Sequence, residues 1–321
     1  MTVDDLQKET PPHSLKRRSR PTEMAIRGFL FLCGVVSIAV TVGILYELGK
    51  ESWLFFSEDS VSFFDFLTGT VWQPQANVFG ILPLVLGTFL ISVIAIVVAV
   101  PIGLAAAIYL SEYATKRVKG FIKPVLEVLV GIPTVVYGFF ALTFMTPLLR
   151  SVFGQSTVGF FNVMSAGIVV GILIVPLISS LSEDALSAVP NSLRQAAYGL
   201  GASKLEVSLR IVVPAALSGI AAGIVVAISR AVGETMVVTL AAGAAPRNFQ
   251  WDDSLFGYIL NPFAPAQAMT GYIVVTASGD LGYNTIDYNS IFAVGLTLFV
   301  MTLGLNSLSR RLVARFRQTY E

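Results

Sequence analysis

Charge is scarce in this sequence: Asp, Glu, Lys and Arg make up 13% of its 321 residues, about half the share of a soluble domain, which is roughly 25%. So little charge cannot clothe a water-facing surface of this size, and a mean hydropathy of +0.75 sets the apolar surplus against lipid. Cysteine is limited to Cys33, inside an apolar run, which excludes an internal disulfide. Histidine is limited to His13, in a polar tail, so no metal site and no metal cofactor are expected. No G-x-x-x-x-G-K-[ST] loop occurs, because Gly49-Lys50 runs into Glu51. The chain is therefore not expected to bind ATP as a P-loop protein does, or to be an enzyme. No Ser/His/Asp or Cys/His constellation points to catalysis. The first apolar run is long and no A-x-A-like site follows it, so a cleavable leader is not expected.

Long apolar runs are what the sequence does have. A helix needs about 20 apolar residues to cross a bilayer, and six segments meet that demand: Gly28–Tyr46, Val78–Leu110, Val128–Leu149, Val163–Ser182, Ile211–Ala242 and Tyr288–Ser309. The expected fold is an all-α polytopic membrane protein with six transmembrane helices. Its divisions are a polar tail over 1–23, a first transmembrane helix with an outer segment over 24–80, a main transmembrane domain over 81–310, and a second tail over 311–321. The first tail carries Pro11, Pro12, Pro21 and the basic run Lys16, Arg17, Arg18, Arg20, and it reads as disordered at a membrane surface. The adjacent span argues against a nucleic-acid role for those basic residues.

Basic residues favour the cytoplasmic side of a membrane. The tail through Arg27, the connection Lys116–Lys123, the connection Arg194–Arg210 and the C-terminus together hold 17 of the 21 Lys and Arg residues. The opposite side holds Lys50, Arg150 and Arg247, together with Glu51, Glu58, Asp59, Asp65, Asp252, Asp253, Asp280 and Asp287. The expected location is the cell inner membrane, multi-pass, with both termini cytoplasmic. The outer connection from Gly243 to Asp287 is long and rich in Gly, Pro and Tyr, and loops of such length are usually functional or disordered.

The connection from Pro190 to Pro214 reads as two short helices at an elbow. Asn191 or Ser192 is placed to cap the first and Gly201 to end it, while Ser203 and Glu206 have the spacing of a capping box that starts the second. Ala196, Ala197, Gly201 and Ala202 form a small-residue surface suited to close packing by another protein. From the physics of these residues alone, a solvated amphipathic elbow that serves no partner is the favoured reading. The order Gln195-Ala196-Ala197, three residues, Gly201, nine residues, Ile211, one residue, Val213-Pro214 resembles the Glu-Ala-Ala…Gly…Ile-x-Leu-Pro signature of the membrane subunits of ABC importers. That resemblance implies a coupling helix near 191–210 that docks on a separate ATP-binding subunit, with ATP and Mg²⁺ held there and no cofactor on this chain. Two positions depart: Val213 stands for Leu, a trivial change, and Gln195 stands for Glu, which removes a charge.

The fifth span carries Ser229-Arg230-Ala231-Val232-Gly233-Glu234-Thr235. Arg230 and Glu234 stand four apart, on one face of a helix, where they can pair. An intramembrane charge costs about 2.5–3.5 kcal/mol on insertion scales, so such residues face a protein interior or a watery path. One reading is a structural ion pair that locks helix packing. The other is an anion pathway, with the Arg230 fork offered to phosphate oxygens and Glu234 holding it in place. The run resembles that of the phosphate-importer permeases. Trp72-Gln-Pro74, Val78–Thr88 and Gly131–Gly138 look like the PstC-type subunit more than its PstA-type sister, and the similarity extends from about residue 24 to 310. It implies the type I ABC importer permease architecture and a phosphate pathway through Arg230, Glu234 and Thr235. It also implies a PstA-like permease partner, two PstB-like ATP-binding subunits and a PstS-like phosphate-binding protein. The sister subunit, or a permease for another oxyanion, is the runner-up.

Pro101, Pro133 and Pro176 each remove a backbone hydrogen bond from a helix. A static kink is expected at Pro101. At Gly131 and Pro133 a gating bend is expected, because broken helices in transporters line pathways. A secondary transporter would be expected to show internal repeats and several intramembrane acids, and neither is present. An intramembrane enzyme would need more polar groups within the spans.

Overall fold

The computed structural model describes residues 21–249, 257–258, 261–279, 282 and 285–315. The tail before Pro21, Asp252, Asp253, Asp280, Arg317 and the C-terminal end lie outside the described residues. The chain divides into two compact units, Met1–Glu47 and Leu48–Glu321.

Helix α1 (Pro21–Phe56) begins in the first unit. Residues 22–47 are exposed on every face, and Phe29, Phe31 and Ile38 each show more than 60% of their surface. A helix that is apolar all round belongs in lipid or against protein.

In the second unit the end of α1 buries Phe55 in an aromatic knot. Its partners come from α2 (Phe63–Thr68) and from the hairpin of β1 (Trp72–Gln73) and β2 (Val78–Phe79), antiparallel with Trp72 opposite Phe79. Phe55, Phe66, Trp72, Phe79 and Tyr272 meet edge to face, at centroid separations of 4.9–6.3 Å. Val78 was expected to open a span, yet it lies in this hairpin, and the span begins at Leu82 with Pro83 in its first turn.

That span, α3 (Leu82–Ile108), runs on through a π-helical turn, Tyr109–Tyr113, and Pro101 does not interrupt it. Its main partner is α7 (Val163–Ser187), capped by Asn162, whose Oδ1 accepts from the Ser165 N–H at 2.7 Å. The two approach through small residues. A Cβ added at Gly167 would meet Ile94 at 2.6 Å, and one at Gly103 would meet Ile178 at 2.8 Å. Membrane helices lack a hydrophobic drive between them and associate by this kind of close packing.

The third span differs from expectation. The segment Val128–Leu149 is not one helix. An amphipathic helix α4 (Lys116–Gly131) stops at Ile132, and α5 (Thr134–Phe140) starts anew with Pro133 as its N-cap. Ile132 has an extended ψ of 129°, as the residue before a proline prefers, and Pro133 continues extended at 133°. A π-helical turn, Ala141–Met145, joins α5 to α6 (Thr146–Phe153), and the apolar span is Thr134–Phe153. No residue of α4 is buried.

After α7 come α8 (Asn191–Gly199), α9 (Lys204–Val207), a π-helical turn Ser208–Val212 and α10 (Val213–Ala215). Then follow α11 (Leu217–Val232), α12 (Met236–Ala241), α13 (Met269–Ala277) and α14 (Ile286–Arg315). The run Lys204–Ala215 meets α11 at a 70° bend, so the described residues hold five helices able to cross a membrane, or six if the bent pair is one span. The connection between α12 and α14 is more than a loop. Its helix α13 buries Met269, Thr270, Gly271 and Tyr272, and the Met269 N–H donates to Thr88 Oγ1 at 2.9 Å.

Candidate functional site

The predicted pathway residues sit at a break in a helix. Helix α11 ends at Val232 and Gly233 caps it; Glu234 and Thr235 precede α12. Arg230 and Glu234 therefore do not share one helical face as their spacing suggests. They meet across the helix end, Nη1 to Oε2 at 3.1 Å, with the Arg230 side chain 46% exposed and Glu234 2%. The Glu234 Oε2 is buried and receives no aligned hydrogen bond; the attraction is one of charge. The acid is the anchored member and the guanidinium the presented one. A cation in the last turn also suits the negative end of the helix dipole.

Neighbours hold the break in place. Thr270 Oγ1 of α13 donates to the Glu234 carbonyl at 2.7 Å. Thr235 turns its hydroxyl to the Gly233 carbonyl at 3.3 Å, and its own carbonyl accepts from Thr239 Oγ1 at 2.7 Å. Ser229 Oγ donates to Asn306 Oδ1 of α14 at 2.5 Å. Asn306 stands four residues before Arg310, about 6 Å along a helix. The arginine's end of the break thus packs on α14 and the acid's end on α13. The sequence reading missed Asn306 and Thr270, since nothing local marks either as a neighbour of residues 36 or 77 positions away.

The bend at Gly131 and Pro133 is a break between helices, bridged by Tyr137, whose hydroxyl donates to the Leu129 carbonyl at 2.9 Å. Both residues are exposed. Helix α4 is strapped to the end of α7 by a cluster that local sequence did not reveal. Lys119 and Lys123 both bind the Glu183 carboxylate, which is 3% exposed, and Ser187 Oγ donates to it at 2.8 Å. Lys123 is held above its ordinary pKa by its hydrogen bonds to Glu183 and then Asp184.

The elbow is built much as its residues indicate. Gly201 follows α8 with φ of +81°, a conformation that suits glycine, and Ser203 and Glu206 form the capping box, each accepting from the other's backbone N–H. The N-cap of α8 is Pro190, without a side-chain bond, and not Asn191 or Ser192; Asn191 Oδ1 turns to Arg194 instead. The small-residue surface is only partly free. Ala197 is buried within the chain, in a cluster with Leu186, Val189, Val207 and Val212. Gln195, Ala196, Gly201 and Pro214 are exposed, and Ala202 is half-buried. At the apex Leu200 is 90% exposed. A bare leucine beside a glycine turn is the elbow's most distinctive surface feature, and the motif does not specify it.

The profile of the binding-protein-dependent transport system inner membrane component matches residues 99–318, from within α3 past the described end of α14. The chain belongs to that family. The permease is 32% identical to the probable ABC transporter permease YqgH of Bacillus subtilis over 94% of each chain. It is 30% identical to the phosphate transport system permease PstC of Mesorhizobium japonicum over 93% of this chain and 92% of that one. In fold it is similar to a chain of the bacterial alginate ABC transporter solved with an alginate pentasaccharide-bound periplasmic protein, with TM-score 0.60 at 14% identity, over 94% of the permease and 99% of that chain. The type I ABC importer permease architecture follows. The permease is a multi-pass membrane component of a transport system.

Proposed function

We propose that this permease forms half of the membrane channel of an ATP-driven importer of inorganic phosphate. The observation that carries the reading is the half-exposed Arg230 guanidinium, anchored by the buried Glu234 at a broken helix. Phosphate crossing a low-dielectric region needs compensating charge, and a planar fork matches its oxygens. Conduction also requires weak binding, and Glu234 offsets part of the positive field. Thr235, in the break itself, adds a hydroxyl. The name carried by the PstC relatives, which align along most of the chain, supports phosphate as the cargo and the PstC-type subunit as the role. The test is radiolabelled phosphate uptake by cells deleted for this gene and carrying it on a plasmid, with sulfate and molybdate as competitors. Uptake resistant to both is expected; displacement by sulfate or molybdate assigns the channel to another oxyanion.

In this reading the exposed elbow residues Gln195, Ala196, Gly201 and Pro214 face a PstB-like ATP-binding subunit, on which ATP and Mg²⁺ reside, and Ala197 roots the elbow. A PstA-like sister completes the channel, and a PstS-like protein delivers phosphate to the outer face. The break at Gly131 and Pro133 serves as a gating bend, since α4 is joined to α5 through two extended residues and is free of burial. Both termini lie in the cytoplasm. With the exposed Cys33 replaced, a cysteine at Ser60 should react with an impermeant thiol reagent in intact cells, and one at Arg117 should not. The reverse pattern would sink this topology.

A further inference from the structure

Arg194 and Glu112 form a buried ion pair that joins the elbow to the spans, with side chains 13% and 5% exposed. Arg194 is on α8. Its Nη2 donates to Glu112 Oε1 at 2.9 Å and to the Leu186 carbonyl at 2.8 Å, and its Nη1 donates to the Val189 carbonyl at 2.5 Å. Nε lies 3.5 Å from Glu112 Oε2. Leu186 lies in the last turn of α7 and Val189 two residues past its end. Glu112 belongs to the π-helical turn that ends α3. One guanidinium therefore ties the elbow to the ends of two spans.

The other arm of the elbow grips the same turn. Lys204, at the start of α9, sets its ammonium 4.7 Å from the centre of the Tyr113 ring. Helices α8 and α9 flank Gly201, so both sides of the apex hold the end of α3. Helices α3 and α7 are locked together through Gly103 and Gly167. A push on the elbow then has a stiff polar route into that pair, whereas the apolar contacts beneath α8 rest on Ala197 and Leu193.

We propose that the Arg194–Glu112 pair is the strut that converts movement of the elbow into movement of α3 and α7. It thus positions the spans for transport without touching the cargo. The proposal rests on the reading of α8 as the coupling helix. A buried pair contributes little net stability compared with apolar residues of similar volume, so a purely stabilising role is a weak account of it. The geometry also requires arginine. A lysine ammonium keeps the charge but lacks the planar fork that reaches a carboxylate and two carbonyls at once.

The test uses the complete importer in proteoliposomes, with its ATP-binding subunits, sister permease and capture protein. Arg194→Lys and Glu112→Gln are compared with the parent for ATP hydrolysed per phosphate imported. Docking is read separately. Gly199→Cys, at a position where an added Cβ meets nothing within 4 Å, is joined to the ATP-binding subunit by a thiol-to-amine crosslinker in a background lacking Cys33. Both variants should assemble, crosslink and hydrolyse ATP within twofold of the parent, while uptake falls about tenfold and the ATP cost per phosphate rises about tenfold. An unchanged ratio overturns the strut, as does failure of both variants to assemble, which would make the pair a purely structural tie. Absence of the crosslink in the parent importer removes the docking reading, and the strut falls with it.

Discussion

Replacing Arg230 with glutamine is expected to cut phosphate uptake by about 10- to 100-fold. A charge-assisted hydrogen bond contributes about 1.5–3 kcal/mol, and each 1.4 kcal/mol is tenfold in an equilibrium. The structure adds an asymmetry that separates transport from folding. Arg230 is nearly half exposed and Glu234 is 2% exposed. Losing the arginine strands the buried member without its cation, whereas losing the acid leaves a cation with access to solvent. The single variant is therefore compared with the double variant Arg230→Gln, Glu234→Gln, which removes both charges. Assembly with the partner subunits should be at least as good in the double variant as in the single one, and uptake should stay low in both. Arg230→Lys should also be impaired, since an ammonium lacks the planar fork. Wild-type uptake with Arg230→Gln would eliminate the pathway reading. Recovery of uptake in the double variant would show that the pair serves packing alone.

The second large effect is expected at the elbow. Leu200→Asp should abolish phosphate-stimulated ATP hydrolysis while leaving the permease inserted and folded. With 90% of its surface free, Leu200 has almost nothing to lose within this chain, so a deficit reports on a partner. Removing a central apolar anchor from an interface costs about 2 kcal/mol or more, and a carboxylate in its place adds the cost of burying a charge. Gly201→Glu should have a similar outcome but is less clean, because φ of +81° strains a glutamate there. Gly201→Asn is its control, as asparagine tolerates that conformation. Normal hydrolysis and uptake in Leu200→Asp would make the elbow a solvated connector. Gln195→Glu, which restores the charge usual in the family, probes an exposed position where the missing carboxylate would meet the partner.

Local sequence was a good guide wherever local physics decides. The apolar runs gave the helices α3, α7 and α14 to within a few residues, because a span must hide its backbone over about 20 residues. The capping box at Ser203 and Glu206 and the turn at Gly201 were legible for the same reason: their partners lie three or four residues away. Proline was harder to read. Pro101 and Pro176 sit inside continuous helices, whereas Pro133 ends one and starts another. Ile132 beside it adopts the extended conformation that proline favours, and the tertiary surroundings decide which prolines are absorbed.

By itself, then, the sequence determined that this protein lives in a membrane, most of the segments long enough to cross it, where the elbow turns, and that Arg230 and Glu234 are the charges within the fifth apolar run. Only the tertiary structure decided what those residues do for one another. It broke the helix between Val232 and Met236, buried the acid and left the base exposed. It brought Asn306 to Ser229, Thr270 to Glu234, Glu183 to two lysines of α4, and Glu112 to Arg194. Those partners lie between 36 and 82 residues apart in the chain. A polar group in a low-dielectric interior must be satisfied by whatever the packing of helices brings near, and that is set by how glycine-faced spans dock, which no run of neighbouring residues encodes.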